Sequence, residues 1–271
     1  MSFSNKEKTR ISSKYGPWAL ITGASSGIGK ELAIRLAEAG MHLVIIARNK
    51  DRLIQLSDEL SGKFGVEVIS ITADLANERE VQQVIQRTQN LEIGLFIASA
   101  GFGTSGSFLT TSVHEEVNML RVNIEALLTL THHFSQRFAQ QKRGGMILMS
   151  SMVGFQGVPF AANYAASKAY VQSLAEALGE ELKPLGVDVL AAAPGPVRSG
   201  FGQRANMKMD AALTPEQVAL PILKALGRKR TVLPGLLTKV LVYSLRTVPR
   251  WGKVKIMEKV MGGMTSHQRA I

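Results

Sequence analysis

The sequence predicts an α/β fold in which a mostly parallel sheet is covered by helices on both faces, and three observations predict it. Short apolar runs bounded by turn residues recur at 18 to 22, 42 to 47, 66 to 71, 95 to 98, 145 to 150, 187 to 193 and, as a weaker pattern, 231 to 233. Stretches of helical periodicity lie between them, as parallel neighbours require, because each pair of parallel strands needs a crossover. The first run ends directly in a glycine-rich turn that opens a helix, which is the layout of a doubly wound, Rossmann-type sheet. No internal repeat, low-complexity tract or linker divides residues 15 to 227, so we read a polar N-terminal tail (1 to 14), one catalytic domain (15 to 233) and a basic helical extension (234 to 271).

Taken in order, the first strand, Trp18-Ala19-Leu20-Ile21, runs into Thr22-Gly23-Ala24-Ser25-Ser26-Gly27-Ile28-Gly29, and Ile28, Leu32, Ala33, Leu36 and Ala37 then keep helical spacing. Backbone N–H groups at such a helix start have no partner and carry the positive end of the dipole, so a pyrophosphate is bound well there. The spacing is G-x-x-x-G-x-G rather than the more familiar G-x-G-x-x-G. The second strand ends in Ala47-Arg48, the third is followed by Asp74-Leu75, and the fourth by Ala98-Ser99-Ala100-Gly101. Asn123 lies in a helical stretch, the fifth strand leads to Ser150 and Ser151, and Tyr164-Ala165-Ala166-Ser167-Lys168 begins the next helix. The sixth strand ends in Pro194-Gly195-Pro196-Val197-Arg198-Ser199. The segment from 196 to 214 then reads as a long flexible connection of the kind that closes over a substrate.

With this glycine spacing, a serine thirteen residues before a tyrosine, and Tyr-x-x-x-Lys, the chain resembles the short-chain dehydrogenase/reductase family from about Tyr15 to Leu233. The resemblance implies a nicotinamide cofactor held by Gly23, Ser25, Ser26, Gly27, Ile28, Gly29, Arg48, Asp74, Leu75, Ala100, Gly101, Tyr164, Lys168, Pro194, Gly195, Val197 and Ser199. It also implies a catalytic set of Asn123, Ser151, Tyr164 and Lys168. Ser199 replaces a family threonine and still offers a hydroxyl to the carboxamide. Asp74 matches an adenine-contacting aspartate, although a helix-capping role before Glu78 is also open. The chain departs from the family at Ala98-Ser99, where two asparagines are usual, so the bonds fixing that strand end are weakened or remade by Ser99.

An acidic side chain after the second strand would hydrogen-bond ribose hydroxyls and repel a 2′-phosphate, whereas a guanidinium would bind that phosphate in a fork. Arg48 without an acid at Ala47 therefore points to NADP(H) over NAD(H). Carbonyl reduction needs a hydride at carbon, a proton at oxygen, and stabilisation of the charge between. A free tyrosine ionises near pH 10, and moving that to neutrality asks for ~4 kcal/mol. Lys168, one turn on, would favour the phenolate by its charge. By the resemblance, Lys168 would hold the nicotinamide ribose, Ser151 the substrate oxygen, and Asn123 a water-linked proton path; a solvent-bonded helix residue is the alternative for Asn123.

Composition excludes several classes. There is no cysteine, and the five histidines have no ligand spacing, so no metal site is expected. His132 and His133 read as ordinary surface or half-buried residues. The net charge of +11 is uneven: from Arg228 onward ten Lys and Arg face Glu258 alone, and residues 1 to 14 add a surplus of three, leaving a nearly neutral body. Nucleic acid is therefore not an expected partner. The polar N-terminus lacks a secretory apolar region, giving a cytoplasmic expectation. Homodimers or homotetramers, through helices around 113 to 141 and 160 to 183, follow from the resemblance.

Two functional classes are weighed. One is an NADP(H)-dependent carbonyl reductase or alcohol dehydrogenase whose apolar substrate meets Phe102, Met152, Phe155, Phe160, Phe201, Met207 and Met209. The other is a catalytically idle NADP-binding redox sensor or scaffold, which the intact Ser151, Tyr164 and Lys168 oppose. Nucleotide-sugar epimerase chemistry would want a larger C-terminal domain. Beyond Val232, Leu233, Leu236, Leu237, Val240, Leu241, Leu245 and Val248 form a helical apolar stripe. This predicts either a helix packed over the substrate pocket or against another subunit, or peripheral contact of 232 to 259 with an anionic membrane.

Overall fold

The computed structural model describes residues 3–209 and 212–268. Seven strands, β1 (Trp18–Thr22), β2 (His42–Ala47), β3 (Val68–Thr72), β4 (Ile93–Ala98), β5 (Gly144–Met149), β6 (Val187–Ala192) and β7 (Thr231–Val232), form one sheet in the order β3-β2-β1-β4-β5-β6-β7. All pairs are parallel, with Leu20 opposite Val44 on one side and Phe96 on the other. Both faces are buried, which explains why the strands read as continuous apolar runs. In β1, Ala19 and Ile21 enter the core on one face, and Trp18 and Leu20 enter the core on the other.

The helices α2 (Gly27–Glu38), α3 (Lys50–Phe64) and α9 (Pro215–Ala225) contribute to the first core, and α4 (Glu78–Thr88), α6 (Leu127–Gln141) and α7 (Ala162–Glu181) to the second. Local sequence sets their starts. Asn49 and Asn77 accept the first-turn N–H groups of Arg52 and Arg79 at 2.9 and 3.0 Å. Gln217 accepts from the N–H of Thr214 at 3.0 Å, just ahead of Pro215. A further helix, α5 (Val113–Leu120), continues through the wider π turn Arg121–Ala126 into α6. The order of strands reverses between β1 and β4, and the crevice at their carboxyl ends is the expected ligand position.

Two peripheral segments differ from the sequence reading. The polar N-terminal stretch is a helix, α1 (Asn5–Tyr15), whose Ile11 and Tyr15 are buried. Its few apolar residues share a face, and its polar groups find partners in the body. Arg10 donates to the carbonyls of Leu226 and Leu223 at the end of α9 (2.9 and 2.8 Å), and the Tyr15 hydroxyl donates to Asp188 at 2.7 Å. Lys14 pairs with the same carboxylate at 2.6 Å. The C-terminal apolar stripe is likewise not one helix. Leu236, Leu237, Val240 and Leu241 lie in α10 (Leu236–Ser244), Leu245 opens the 3-10 turn Leu245–Thr247, Leu233 and Val248 fall outside both, and a separate helix, α11 (Arg250–Met264), follows. Thr238, Val242 and Leu245 face inward, while Leu236, Leu237, Val240 and Leu241 are exposed.

Candidate active site

A cavity of about 1200 Å³ runs along the carboxyl edge of the sheet from Arg48 to Met264. At one end it meets the first turn of α2, which holds no acidic residue, so the helix start presents uncompensated N–H groups. Gly29 makes that turn possible: a side chain there would begin 2.3 Å from the carbonyl oxygen of Gly23. Gly23, Ser25, Ser26, Gly27 and Ile28 line the same wall, and Pro194, Gly195, Val197 and Ser199 close it from the far side. The Ser199 hydroxyl donates to the carbonyl of Val197 at 3.2 Å.

Beyond the second and third strands the cavity is bordered by Arg48, Asn49, Arg52, Asp74 and Leu75. Asp74 does not cap α4, which Asn77 does; its carboxylate instead accepts from the N–H of Ala76 at 3.1 Å. Arg48 is exposed, with no carboxylate paired to it among the described residues. Arg204, on the short α8 (Phe201–Arg204), stacks on the Phe102 ring at 3.9 Å. Its pKa is lowered, first by burial and then by the charge of Arg48, with Glu115 and Asp74 offsetting in part. This end of the cavity is electropositive and suits a phosphate. At the end of the fourth strand, where two asparagines are usual, the backbone is fixed by Thr22 rather than by Ser99. Its hydroxyl oxygen accepts from the N–H groups of Ser99 and Ala100, both at 3.1 Å.

At the middle of the cavity Ser151, Tyr164 and Lys168 come together. The two neighbouring serines differ in their bonding. Ser150 spends its hydroxyl on the carbonyl of Lys168 at 2.9 Å, whereas the Ser151 hydroxyl makes only long contacts, to the Pro194 carbonyl at 3.5 Å and from the Val153 N–H at 3.4 Å, and lies beside the Tyr164 phenol. Lys168 donates to the carbonyl of Met149 at 2.9 Å, and its ammonium lies 5.8 Å from the centre of the Tyr164 ring. Burial pushes the Tyr164 phenol up to about 12, against the opposing effect of Ser151, and burial lowers Lys168 to about 8. The depression of the phenol expected from Lys168 is not seen here: burial in a low-polarity pocket disfavours charge on both groups.

Asn123 is fully buried in the π turn and does not line the cavity. Its amide nitrogen donates to the Phe102 carbonyl at 2.9 Å and to Ser167 at 3.1 Å, and its oxygen accepts from the Phe102 N–H at 3.1 Å. The solvent-bonded alternative is therefore corrected. The extra residue of a π turn rotates Asn123 inward, as such turns do at functional sites. Gly101 leaves room for this meeting: a side chain there would begin 2.8 Å from the Asn123 oxygen and 3.4 Å from the Lys168 ammonium.

The substrate end is apolar. Phe102, Met152, Phe201, Met207 and Met209 line it as the sequence suggests, but Phe155 and Phe160 pack outside it. Sequence reasoning missed Met257, Met261 and Met264 of α11, which close the end from above. Their four- and three-residue spacing is the one available signal. The connection from 196 to 214, read as flexible, is tied down along its described part. Lys208 N–H donates to the Met264 carbonyl at 3.0 Å, and Gln268 donates to Ser105 at 2.9 Å, whose hydroxyl in turn donates to the Ala205 carbonyl. Residues 210 and 211 of this connection, and Arg269 of the basic tail, lie outside the described residues. No group of metal-ligating side chains occurs among the described residues.

A family model described as short chain dehydrogenase matches residues 17–210. A 7β-hydroxysteroid dehydrogenase of Collinsella aerofaciens is 31% identical over 229 residues, covering 82% of this chain and 87% of that protein. A solved structure of a 7β-hydroxysteroid dehydrogenase superposes with a TM-score of 0.85 at 28% identity, covering 91% of this chain and 98% of the other. A short-chain dehydrogenase from Sphingobium yanoikuyae, solved in complex with NADPH, gives a TM-score of 0.79 at 31% identity, over 85% of this chain and 92% of the other.

Proposed function

This chain belongs to the short-chain dehydrogenase family and is an oxidoreductase, and from that premise we propose that it interconverts a bulky apolar carbonyl compound and its secondary alcohol with NADP(H). The observation that carries the reading is the single cavity joining an electropositive end at Arg48, the Ser151, Tyr164 and Lys168 cluster, and an apolar end at Met257 and Met261. A dinucleotide fits the first two parts. The start of α2 would take the pyrophosphate, Arg48 the 2′-phosphate, and Lys168 the nicotinamide ribose, with Asp74 and Leu75 beside the adenine. When bound, the nicotinamide supplies or accepts the hydride.

The remaining work falls to the chain. Ser151 hydrogen-bonds the substrate oxygen and Tyr164 gives it a proton; with the phenol held near 12, Tyr164 is protonated at neutral pH and ready as the donor. Lys168, positioned by the Met149 carbonyl, supplies positive charge beside the phenolate that forms. Asn123 acts as a positioning residue, holding the Phe102 loop to α7 through Ser167, whose hydroxyl donates to the Tyr164 carbonyl.

Similarity to hydroxysteroid dehydrogenases and the apolar lining of the far end favour fused-ring or comparably bulky substrates over short aldehydes. The test is NADPH consumption with a panel of steroid ketones, 3-oxoacyl thioesters and small aldehydes. Steady turnover with the bulky ketones is expected. NADPH binding without turnover on any member would instead favour the idle sensor.

A further inference from the structure

An ordinary surface helix turns its polar side to water. The α10 helix instead carries apolar residues on its outer face as well as its inner one. Leu236, Val240 and Tyr243, at steps of four and three, are 77%, 54% and 53% exposed, whereas the face turned inward carries Thr238, Val242 and Leu245. The Thr238 hydroxyl packs against Gly195, so this orientation is fixed by the site itself. Nearby in sequence, Trp251 is 73% exposed at the start of α11, and Lys255 and Lys259 follow it on the exposed face at four-residue steps. The described part of the extension holds Lys239, Arg246, Arg250, Lys253, Lys255 and Lys259 against Glu258 alone.

We propose that α10 and the start of α11 form a peripheral docking face for an anionic lipid bilayer, with the mouth of the substrate cavity turned toward it. Charge complementarity selects this occupant. Exposed leucine, valine and tyrosine bordered by cations match acyl chains under anionic headgroups, with Trp251 at the boundary. No helix among the described residues is long and apolar enough to span, so the contact is superficial. Leu237 and Leu241 on α10 and Val260 on α11 are both exposed and part of the cavity wall, so the apolar surface is continuous with the apolar interior. An apolar substrate dissolved in the bilayer then enters without crossing water. Docking is independent of the reaction proposed above; only this delivery rests on it.

The test uses the full chain with vesicles of neutral phosphatidylcholine alone or mixed with anionic phosphatidylglycerol. Co-sedimentation with the anionic vesicles at low salt is expected, weakening at high salt. Trp18 is buried, so a blue shift in tryptophan emission on adding vesicles reports Trp251, and Trp251→Phe should remove it. The Leu236→Asp, Val240→Asp double variant, which leaves the cavity wall untouched, should cut vesicle binding by about tenfold or more. Its NADPH affinity, and its turnover of a water-soluble ketone, should stay as in the parent. Recovery of the parent in the supernatant with both vesicle types overturns the proposal. So does vesicle binding that the double variant does not weaken, or a parent dimer that the variant splits without any vesicle binding, which would assign the face to a second copy.

Discussion

Ser150 and Lys168 are bound to each other through a side chain and a carbonyl: the serine hydroxyl donates to the lysine's backbone oxygen at 2.9 Å, while the lysine ammonium reaches back to the Met149 carbonyl. The end of β5 and the catalytic helix α7 are thereby locked in register. Ser151, one residue on, is left to face Tyr164.

This separates the two serines experimentally. Ser150→Ala should lower stability by about 1 kcal/mol, the typical value of one buried hydrogen bond, and leave most turnover intact. Ser151→Ala, which loses only the long contacts to Pro194 and Val153, should cost less stability than Ser150→Ala and reduce kcat by about a hundredfold or more, as loss of an oxyanion donor does. Thermal unfolding and steady-state kinetics on both variants check the assignment, and the reverse pattern would exchange their roles.

Removing only the phenolic hydroxyl, by Tyr164→Phe, keeps the ring against Phe201 at a centroid distance of 5.3 Å. NADPH affinity should stay within a few fold while turnover is lost, because only the proton donor is gone. Near-normal rates in stopped-flow reduction would exclude Tyr164 as the donor.

Burial lowers Lys168 to about 8, so its charge is present below that pH and lost above it. In reduction, kcat/KM should be level from pH 6 toward 8 and fall beyond, since this ratio reports groups of the unliganded enzyme. The same burial makes the charged lysine a cost to the fold. Its pKa is lower folded than unfolded, so the penalty is complete below the folded value and disappears above the unfolded one. Lys168→Met should therefore raise stability by about 2 kcal/mol at pH 7, after allowing for the Met149 carbonyl left unpaired, and by progressively less toward pH 10. Denaturant unfolding at both pH values measures this, and destabilisation at pH 7 would contradict it.

Arg48 has no carboxylate partner among the described residues, and its guanidinium borders the cavity beside Asn49 and Arg52. Arg48→Ala should raise the KM for NADPH by about tenfold or more and change that for NADH little, as expected for a charge-assisted phosphate contact. Equal changes for both cofactors would make Arg48 a solvated charge.

The parts of this molecule legible from the sequence are those governed by periodicity and by fixed spacing along the chain. Because β1 and β2 are buried on both faces, their apolar runs begin and end where the strands do. The glycine turn and the residues after β6 fall on the cavity wall where their spacing places them. What escaped depends on contacts between distant segments. Nothing local to Asn123 announces a π turn, whereas the cap at Asn77 is legible in Asn77-Glu78-Arg79-Glu80, an asparagine with a glutamate three residues on, which reading Asp74 as the cap passes over. The α1 helix looks like a tail because its polar residues outnumber its apolar ones, and its acceptors lie more than 170 residues away. Similarly, the apolar stripe of α10 says that one face differs from the other, but not which one meets water. The cavity and Gly195 decide that, by placing Thr238 inside.

The anchoring of α1 also orders events during synthesis. Arg10 and Tyr15 are made first, yet the carbonyls of Leu223 and Leu226 and the carboxylate of Asp188 are made after most of the sheet. A nascent chain must therefore carry this helix undocked while the strands assemble, with Ile11 and Tyr15 uncovered on one side. Contacts of such long sequence separation form late and slowly. The interval between making the first helix and making its last acceptors is when the chain is most open to chaperones, and to aggregation.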